Sequence, residues 1–341
     1  GNKCYVDTFD RNFNFDVEHI SLAKKADVFL VAPATANVIA KIANGIADDM
    51  LTTTFLASKC KKIISPAMNT AMFENQITQN NIAKLKEYGI DVIEPQSGLL
   101  ACGDIGAGKM PEPGYLFDVI ERDIAREKDM LGKKVLVTAG ATMEALDPVR
   151  FLTNHSSGKM GFAIAKEAML RGAEVTVVKA NTTAEIPNFV NIVEVSSAGD
   201  MFDAVTAVSD KQDIIVKAAA VADYTPESYV DSKIKKKDGD LSIALKRTKD
   251  ILKYLGENKK EGQFICGFSM ETDNMLENSK IKLSKKNADM IVANNLKDVG
   301  SGFKIDTNAV TLITKDGHKS LELKSKADVA KEIFDEILCL I

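Results

Sequence analysis

"GKKVLVTAGATMEALDPVRFLTNHSSGKMGFAIAKEAMLRGAEVTVVKA" (132–180) is the stretch on which the fold turns. Its opening, GKKVLVTAG (132–140), is led by lysines, continues apolar, and reads as a buried strand entering a glycine turn. GFAIAKEAMLRG (161–172) carries apolar residues at helical spacing and stops on a glycine; AEVTVVKA (173–180) is a second strand. A strand, a helical crossover and another strand make the unit from which parallel sheets are built. The same alternation extends downstream: a helix over 198–208, strands over 213–224, 262–271 and 288–295, and a closing helix over 325–341. AVTLITKDGHKSLEL (309–323) predicts a hairpin, with Asp316-Gly317 as a type I′ turn. Upstream, strands are expected over 26–33, 61–67 and 90–95, and helices over 35–45, 78–89 and 115–130. Residues 95–114 are rich in Gly and Pro and read as a long functional loop. The prediction is an α/β protein of two Rossmann-like units with mainly parallel sheets. The boundary is expected near 128–132, giving units of 1–130 and 131–341.

Bulk composition narrows the function. With 341 residues and 45% hydrophobic content, the chain can bury two cores. A net charge of -4 favours neither nucleic acid nor an acidic disordered tail. No apolar run approaches the ~20 residues of a membrane span. The polar, charged opening (1–19) does not resemble a leader. The five cysteines (Cys4, Cys60, Cys102, Cys266 and Cys339) are scattered, with no CxxC and no zinc spacing. Scattered cysteines in such a chain point to a reducing cytoplasm.

Three residues of the first unit carry candidate chemistry. His19 precedes apolar positions at helical spacing, and histidine is the residue type most used for acid/base chemistry; the plain alternative is a core histidine with one hydrogen bond. Asn69 follows a strand end in PAMNTAMFEN (66–75), at the sheet edge where ligands bind. It could offer its amide to a carboxylate or simply cap a helix. Met68 and Met72, at helical spacing, read more readily as packing. Cys102 sits among glycines, where thiol chemistry is more natural than burial.

The second unit holds two richer segments. SSGKMG (156–161) opens a helix after a polar stretch containing Arg150 and Asn154. Small residues there let backbone N–H groups approach an anion, although neither a P-loop nor a clean G-x-G-x-x-G is present. The alternative is a tight strand-to-helix link. In AAAVADY (218–224) the alanines leave room for a flat ligand, and Asp223 could help hold Mg²⁺. Lys233, Lys235, Lys236 and Lys237 follow, either as triphosphate ligands or as a solvated loop.

Six blocks in order make a resemblance specific: HISLAKKADVFLVAPATANVIAKIANGIADDMLTTT (19–54), PAMNTAMFEN (66–75), LACGDIGAGKMPEP (100–113), DPVRFLTNHSSGKMG (147–161), AAAVADY with KIKK (218–224, 233–236) and GFSMET (267–272). From about residue 17 to the end, the chain resembles the bacterial bifunctional phosphopantothenoylcysteine decarboxylases / phosphopantothenate–cysteine ligases of coenzyme A biosynthesis. The resemblance implies that the first unit uses FMN to oxidise the thiol end of its substrate, easing loss of CO₂. It makes His19 the active-site histidine, Asn69 the holder of the substrate carboxylate with Met72 beside it, and Cys102 the acid that protonates the product. The turn containing Pro33, Thr35, Ala36 and Asn37 matches the FMN-contacting segment. The second unit is implied to activate 4'-phosphopantothenate with CTP and Mg²⁺ and to pass the acyl group to cysteine. Asn154 then acts on the acyl-cytidylate and Lys233 on the charge of activation. Ala219, Ala220, Asp223, Lys236 and Phe268 lie at the nucleotide, with Asp223 at the metal. Arg150 belongs near the phosphopantothenate or a dimer contact.

Family members carry about one more strand and a glycine-rich FMN phosphate turn ahead of the position of residue 1. Weak FMN binding and weak decarboxylation are therefore expected of the chain as written, with a homodimer through the ligase unit retained. The competing readings are a nucleotide-binding protein without turnover, an NAD(P)-dependent reductase, for which the acidic residue after G-x-G-x-x-G is missing, and a flavoprotein without ligase activity.

Overall fold

The structure is a computed structural model that describes residues 4–6, 18–99, 103, 105–235, 242–271, 274–295, 302 and 305–341. The chain forms two compact units, Gly1–Ala125 and Arg126–Ile341.

The first unit runs α1 (Glu18–Lys25), β1 (Val28–Ala34), α2 (Ala36–Ala43), α3 (Met50–Ala57), β2 (Lys61–Pro66), α4 (Thr70–Glu74), α5 (Gln76–Glu87), β3 (Asp91–Val92), β4 (Gln96–Leu99), β5 (Ile105–Lys109) and α6 (Pro113–Ile124). The strands β1, β2 and β3 pair in parallel in that order. Two helix starts show their local cause. The Thr35 hydroxyl accepts from the Val38 N–H at 3.3 Å to open α2. Asp49 and Thr52 form a reciprocal capping box on α3, satisfying donors that a helix start leaves bare. Val31, Ile39, Phe55, Ile64, Ile82 and Leu85 form the core between sheet and helices. Burying each such side chain contributes about 1.5–3 kcal/mol. The expected loop over 95–114 is partly ordered: β4 and β5 pair antiparallel, their glycines having masked the strand signal.

The second unit runs β6 (Lys134–Ala139), β7 (Met143–Ala145), β8 (Phe151–Thr153), α7 (Lys159–Leu170), β9 (Glu174–Lys179), β10 (Asn191–Glu194), α8 (Ala198–Ser209), β11 (Ile214–Lys217), β12 (Tyr224–Pro226), β13 (Leu245–Arg247), α9 (Ile251–Glu257), β14 (Phe264–Glu271), α10 (Met275–Lys285), β15 (Met290–Asn295), β16 (Thr307–Thr314), β17 (His318–Ser325) and α11 (Lys326–Leu340). Eight strands form one sheet in the order β10-β9-β6-β11-β14-β15-β16-β17. The first six pair in parallel; β16 and β17 close one edge antiparallel. The α7 helix approaches β6 closely because Gly161 has no side chain; a Cβ there would stand 2.7 Å from that of Ala139. Gly158, at φ 82°, opens the same helix in the left-handed region. The small residues of SSGKMG thus have a packing reason of their own.

Two expectations need correction. The strand predicted over 213–224 ends at Lys217. Beyond it the alanine N–H groups bond elsewhere, Ala219 to the Thr138 hydroxyl at 3.0 Å and Ala220 to the Gly140 carbonyl at 2.9 Å. The hairpin over 309–323 is present, but its turn is not type I′, which needs positive φ at both central residues; neither Asp316 nor Gly317 has it.

Candidate functional site

In the first unit, the polar motifs gather at the carboxyl edge of the parallel strands. Ala34 pairs with Pro66, and the Ala67 N–H donates to the Ala34 carbonyl at 2.9 Å, so the turn of Pro33, Thr35, Ala36 and Asn37 lies beside Asn69. Pro33 follows a cis peptide bond. The α1 helix returns to β1 through two residues, which places its first turn, with His19, toward that same edge. Asn69 caps α4, its side-chain oxygen accepting from the Ala71 N–H at 2.9 Å. Met72 is 49% exposed on α4, whereas Met68 packs on the core, so the packing reading holds for Met68 and not for Met72. Cys102 lies outside the described residues, but its hairpin is seated: the Met68 N–H donates to the Gly108 carbonyl at 3.1 Å. A Cβ on Gly108 would meet the Met68 carbonyl oxygen at 2.2 Å, and one on Gly106 the Thr70 hydroxyl at 2.4 Å.

Among the buried polar atoms of this unit without a hydrogen-bond partner are His19 Nδ1, the Ser65 hydroxyl and the Thr70 hydroxyl. Such atoms are costly unless a ligand or water satisfies them. Ser65 and Thr70 flank the Pro-Ala-Met-Asn turn, so the edge suits a polar, flat ligand such as a flavin.

In the second unit, two clusters form from distant segments. The first joins Asn154 to the alanine turn: its amide donates to the Ala220 carbonyl at 3.1 Å. The Thr142 hydroxyl accepts from the Ala222 N–H at 3.0 Å, and the Thr248 hydroxyl donates to the Ala222 carbonyl at 2.7 Å. Ala219 and Ala220 are therefore fixed by backbone bonds, with Asp223 at the end of the turn.

Beside this turn opens a cavity of about 410 Å³, lined in part by Lys217, Asp223, Asp250, Phe268, Lys282 and Lys286. Asp223 is marked by its own segment and Phe268 by the family resemblance; no motif marks Lys217, Asp250, Lys282 or Lys286. Lys282 donates to the Phe268 carbonyl at 3.0 Å. Lys286 and Asp250 pair at 2.6 Å. Burial pushes the Asp250 carboxyl up, but Lys286 and the Lys253 N–H outweigh it and hold it below the usual range. Among the described residues, no group of three His, Cys, Asp or Glu side chains could hold a metal. Of the two carboxylates in the lining, Asp250 is paired with Lys286, which leaves Asp223 for a Mg²⁺ that arrives with its nucleotide, bound by one or two carboxylates and the phosphates.

The second cluster carries Lys233. Buried Asp147 accepts from the N–H groups of Val149 at 2.8 Å, Arg150 at 2.9 Å and Ile234 at 3.0 Å, and from the Arg150 guanidinium at 2.7 Å. Arg150 also donates to the Ile234 carbonyl at 2.6 Å. Burial would raise the Asp147 carboxyl; these bonds hold it well below the carboxylate range instead. Lys233, next to Ile234, is exposed, and neither it nor Asn154 lines the cavity. Lys236 lies outside the described residues.

Residues 130–340 match the family described as the DNA/pantothenate metabolism flavoprotein C-terminal domain, and residues 1–125 match the flavoprotein family. The Bacillus subtilis coenzyme A biosynthesis bifunctional protein CoaBC is 48% identical over 99% of this chain and 84% of its own length. The chain belongs to that bifunctional family. A protein named for cysteine and cysteine sulfinic acid decarboxylation, from an unknown prokaryotic organism, is 42% identical over 100% of this chain and 96% of its own. The crystal structure of a CoaBC C-terminal domain is 44% identical with a TM-score of 0.53, covering 62% of this chain and 96% of that one. Among the described residues, no helix is long and apolar enough to cross a membrane.

Proposed function

We propose that the two units divide the activities of a coenzyme A biosynthesis enzyme, residues 131–341 as phosphopantothenate–cysteine ligase and residues 1–130 as phosphopantothenoylcysteine decarboxylase. That the chain is an enzyme of this pathway with both activities follows from its family. The observation that carries the ligase assignment is the cation-rich cavity shared by Asp223 and Phe268, beside the Asn154–Ala220 contact. Activating a carboxylate with a triphosphate brings negative charge together, and the transition state needs preorganised positive charge. In this reading the substrate is MgCTP, with Asp223 as the protein's metal contact and Phe268 and Lys236 on the nucleotide side. Lys233 faces the charge built up during activation. Asn154 donates to the acyl-cytidylate, and cysteine displaces CMP. Arg150 serves by holding the Lys233 loop. Phe151 and Leu152, exposed on β8 at 48% and 37%, suit a homodimer through this unit. The free thiols of Cys4, Cys60, Cys266 and Cys339 suit a reducing cytoplasm.

In the decarboxylase unit, Pro33, Thr35, Ala36 and Asn37 would hold FMN, with the orphaned hydroxyls of Ser65 and Thr70 nearby. Bound FMN would take two electrons from the substrate's thiol end and return them once CO₂ has left. Asn69, with Met72 beside it, orients the substrate carboxylate. His19 handles a proton, and Cys102 returns one to the product carbon.

The test is pyrophosphate release from the purified chain with 4'-phosphopantothenate, cysteine and Mg²⁺, comparing CTP with ATP, while flavin absorbance is recorded. CTP-dependent release is expected; no release from a folded sample with either nucleotide would favour a nucleotide-binding protein without turnover. Decarboxylation is followed in parallel with phosphopantothenoylcysteine and with free cysteine, because of the relative named for the latter; preference for the former is expected. Gly108→Ala should lower decarboxylation at least about tenfold by lifting the hairpin off Met68, while leaving pyrophosphate release within about twofold. Equal losses in both assays would mean a general folding defect.

A further inference from the structure

The β11 strand lies at the centre of the large sheet, paired with β6 on one side and β14 on the other. Ile214, Ile215 and Val216 are fully buried. The next residue, Lys217, ends the strand and turns its side chain into the cavity that Asp223 and Phe268 also line. Lys217 is half-buried, and its side chain reaches a lining that is mostly polar and charged.

The charges around it do not neutralise it. Lys282 and Lys286 approach from α10, Asp250 from the start of α9, Asp223 from the turn after β11, and Arg247, Thr248 and Lys249 from the segment at the end of β13. Asp250 is already paired with Lys286, and Lys282 is bonded to the Phe268 carbonyl. Among the described residues, the Lys217 side chain makes no hydrogen bond and no ion pair. The lining thus sets five cations against two carboxylates. Such an excess of like charge in one cavity is unfavourable unless an anion offsets it. Burial, with Lys282 and Lys286 adding to it against Asp250 and Asp223, pushes the Lys217 ammonium down to about 8.

We propose that Lys217 is a phosphate-binding residue of the ligase, its ammonium meeting the triphosphate of the nucleotide from the cavity floor. This rests on the nucleotide reading above and adds to it a residue that no motif of the chain marked. The anion favours the charged lysine, so the bound complex holds a proton that the free protein gives up above about pH 8. Nucleotide affinity is then highest below that pH and falls as pH rises through it. The phosphates are already ionised over this range, since their last pKa is about 6. An arginine stays charged throughout.

The experiment measures MgCTP binding by calorimetry, without cysteine or phosphopantothenate, between pH 7 and 9.5. For the wild type, Kd should rise about tenfold from pH 7 to 9.5. Lys217→Arg should bind with a Kd that is flat over this range. Lys217→Met should bind about 10- to 100-fold more weakly at pH 7, as expected for one charge-assisted hydrogen bond, and should also be flat. Wild-type affinity in Lys217→Met, or an unchanged pH slope in Lys217→Arg, overturns the assignment of Lys217 while leaving the nucleotide site standing. Should the methionine variant fail to fold, the arginine variant's slope decides alone. If the wild type binds no MgCTP at any pH, the nucleotide reading fails, and the role of Lys217 falls with it.

Discussion

Asp147→Asn is expected to lower the ligase kcat by about a hundredfold with little change in KM for CTP. The carboxylate sits between two chain segments. It accepts N–H groups from its own turn, at Val149 and Arg150, and from Ile234, adjacent to Lys233. Arg150 completes the clamp through the Ile234 carbonyl. An asparagine keeps the shape but loses the charge, and turns one acceptor into a donor facing N–H groups. The Lys233 loop would then be held by fewer bonds, and a misplacement of about 1 Å is enough for a hundredfold loss. The folded carboxyl lies below its unfolded value, so its stabilisation is fully present above about pH 4 and is lost as pH falls through the depressed folded value. A defect at pH 7–8 is therefore structural and not a titration. The decisive readout is non-additivity. Lys233→Gln alone should cost about a thousandfold in kcat, and adding Asp147→Asn to it should cost almost nothing more, because Asp147 acts through Lys233. Full additivity would show that Asp147 supports something else.

Much of the fold was readable because buried parallel strands announce themselves as continuous apolar runs. ADVFLVAP, KKIISPA, AEVTVVKA and ADMIVANN each contain an observed strand. Elements stabilised by tertiary contact were not readable. The α3 helix buries Met50, Thr52, Thr54 and Phe55, on more than one face, so it shows no clean period, and its threonines argue for a strand. The β7–β8 hairpin consists of two three-residue strands inside a polar segment. The site divides the same way. Asp223, Phe268 and Asn154 stood in recognisable motifs. Lys282 sits on α10 and Lys286 at its C-cap; the helix has apolar positions at Leu276, Ile281 and Leu283 and lysines four apart, only a partial signal. Nothing local marks Lys217 as different from a solvated strand end; only the cavity it shares with Asp250, Lys282 and Lys286 sets it apart. Asp147 is similar, since its partner Ile234 is 87 residues away.

The largest effect on stability is expected from Arg171→Met. Arg171 and Glu167 are 4% and 3% exposed and meet at 2.9 Å on α7. The guanidinium also reaches Asp129 at 3.2 Å, the Lys331 carbonyl at 3.4 Å and Asp335. It thereby ties α7 to the segment before β6 and to α11, which covers the sheet with Ile333, Phe334 and Ile337. From the opposite side Arg126 holds Glu167 at 2.9 Å. Methionine fills most of the volume, so the loss is one of charge and hydrogen bonds more than of packing. Removing one partner of a buried pair costs about 3–5 kcal/mol, because the other is left uncompensated. For a unit of this size that corresponds to a fall in Tm of about 10 °C, read by circular dichroism. Arg126 keeps part of the compensation, so the lower end of the range is expected. Neutralising the orphan should recover some of the loss: in Arg171→Met with Glu167→Gln, the double variant should be more stable than the sum of the singles predicts by at least about 1 kcal/mol. Strict additivity, or a Tm within 2–3 °C of wild type for Arg171→Met, would mean that apolar packing of α7 and α11 holds these elements without the ion network.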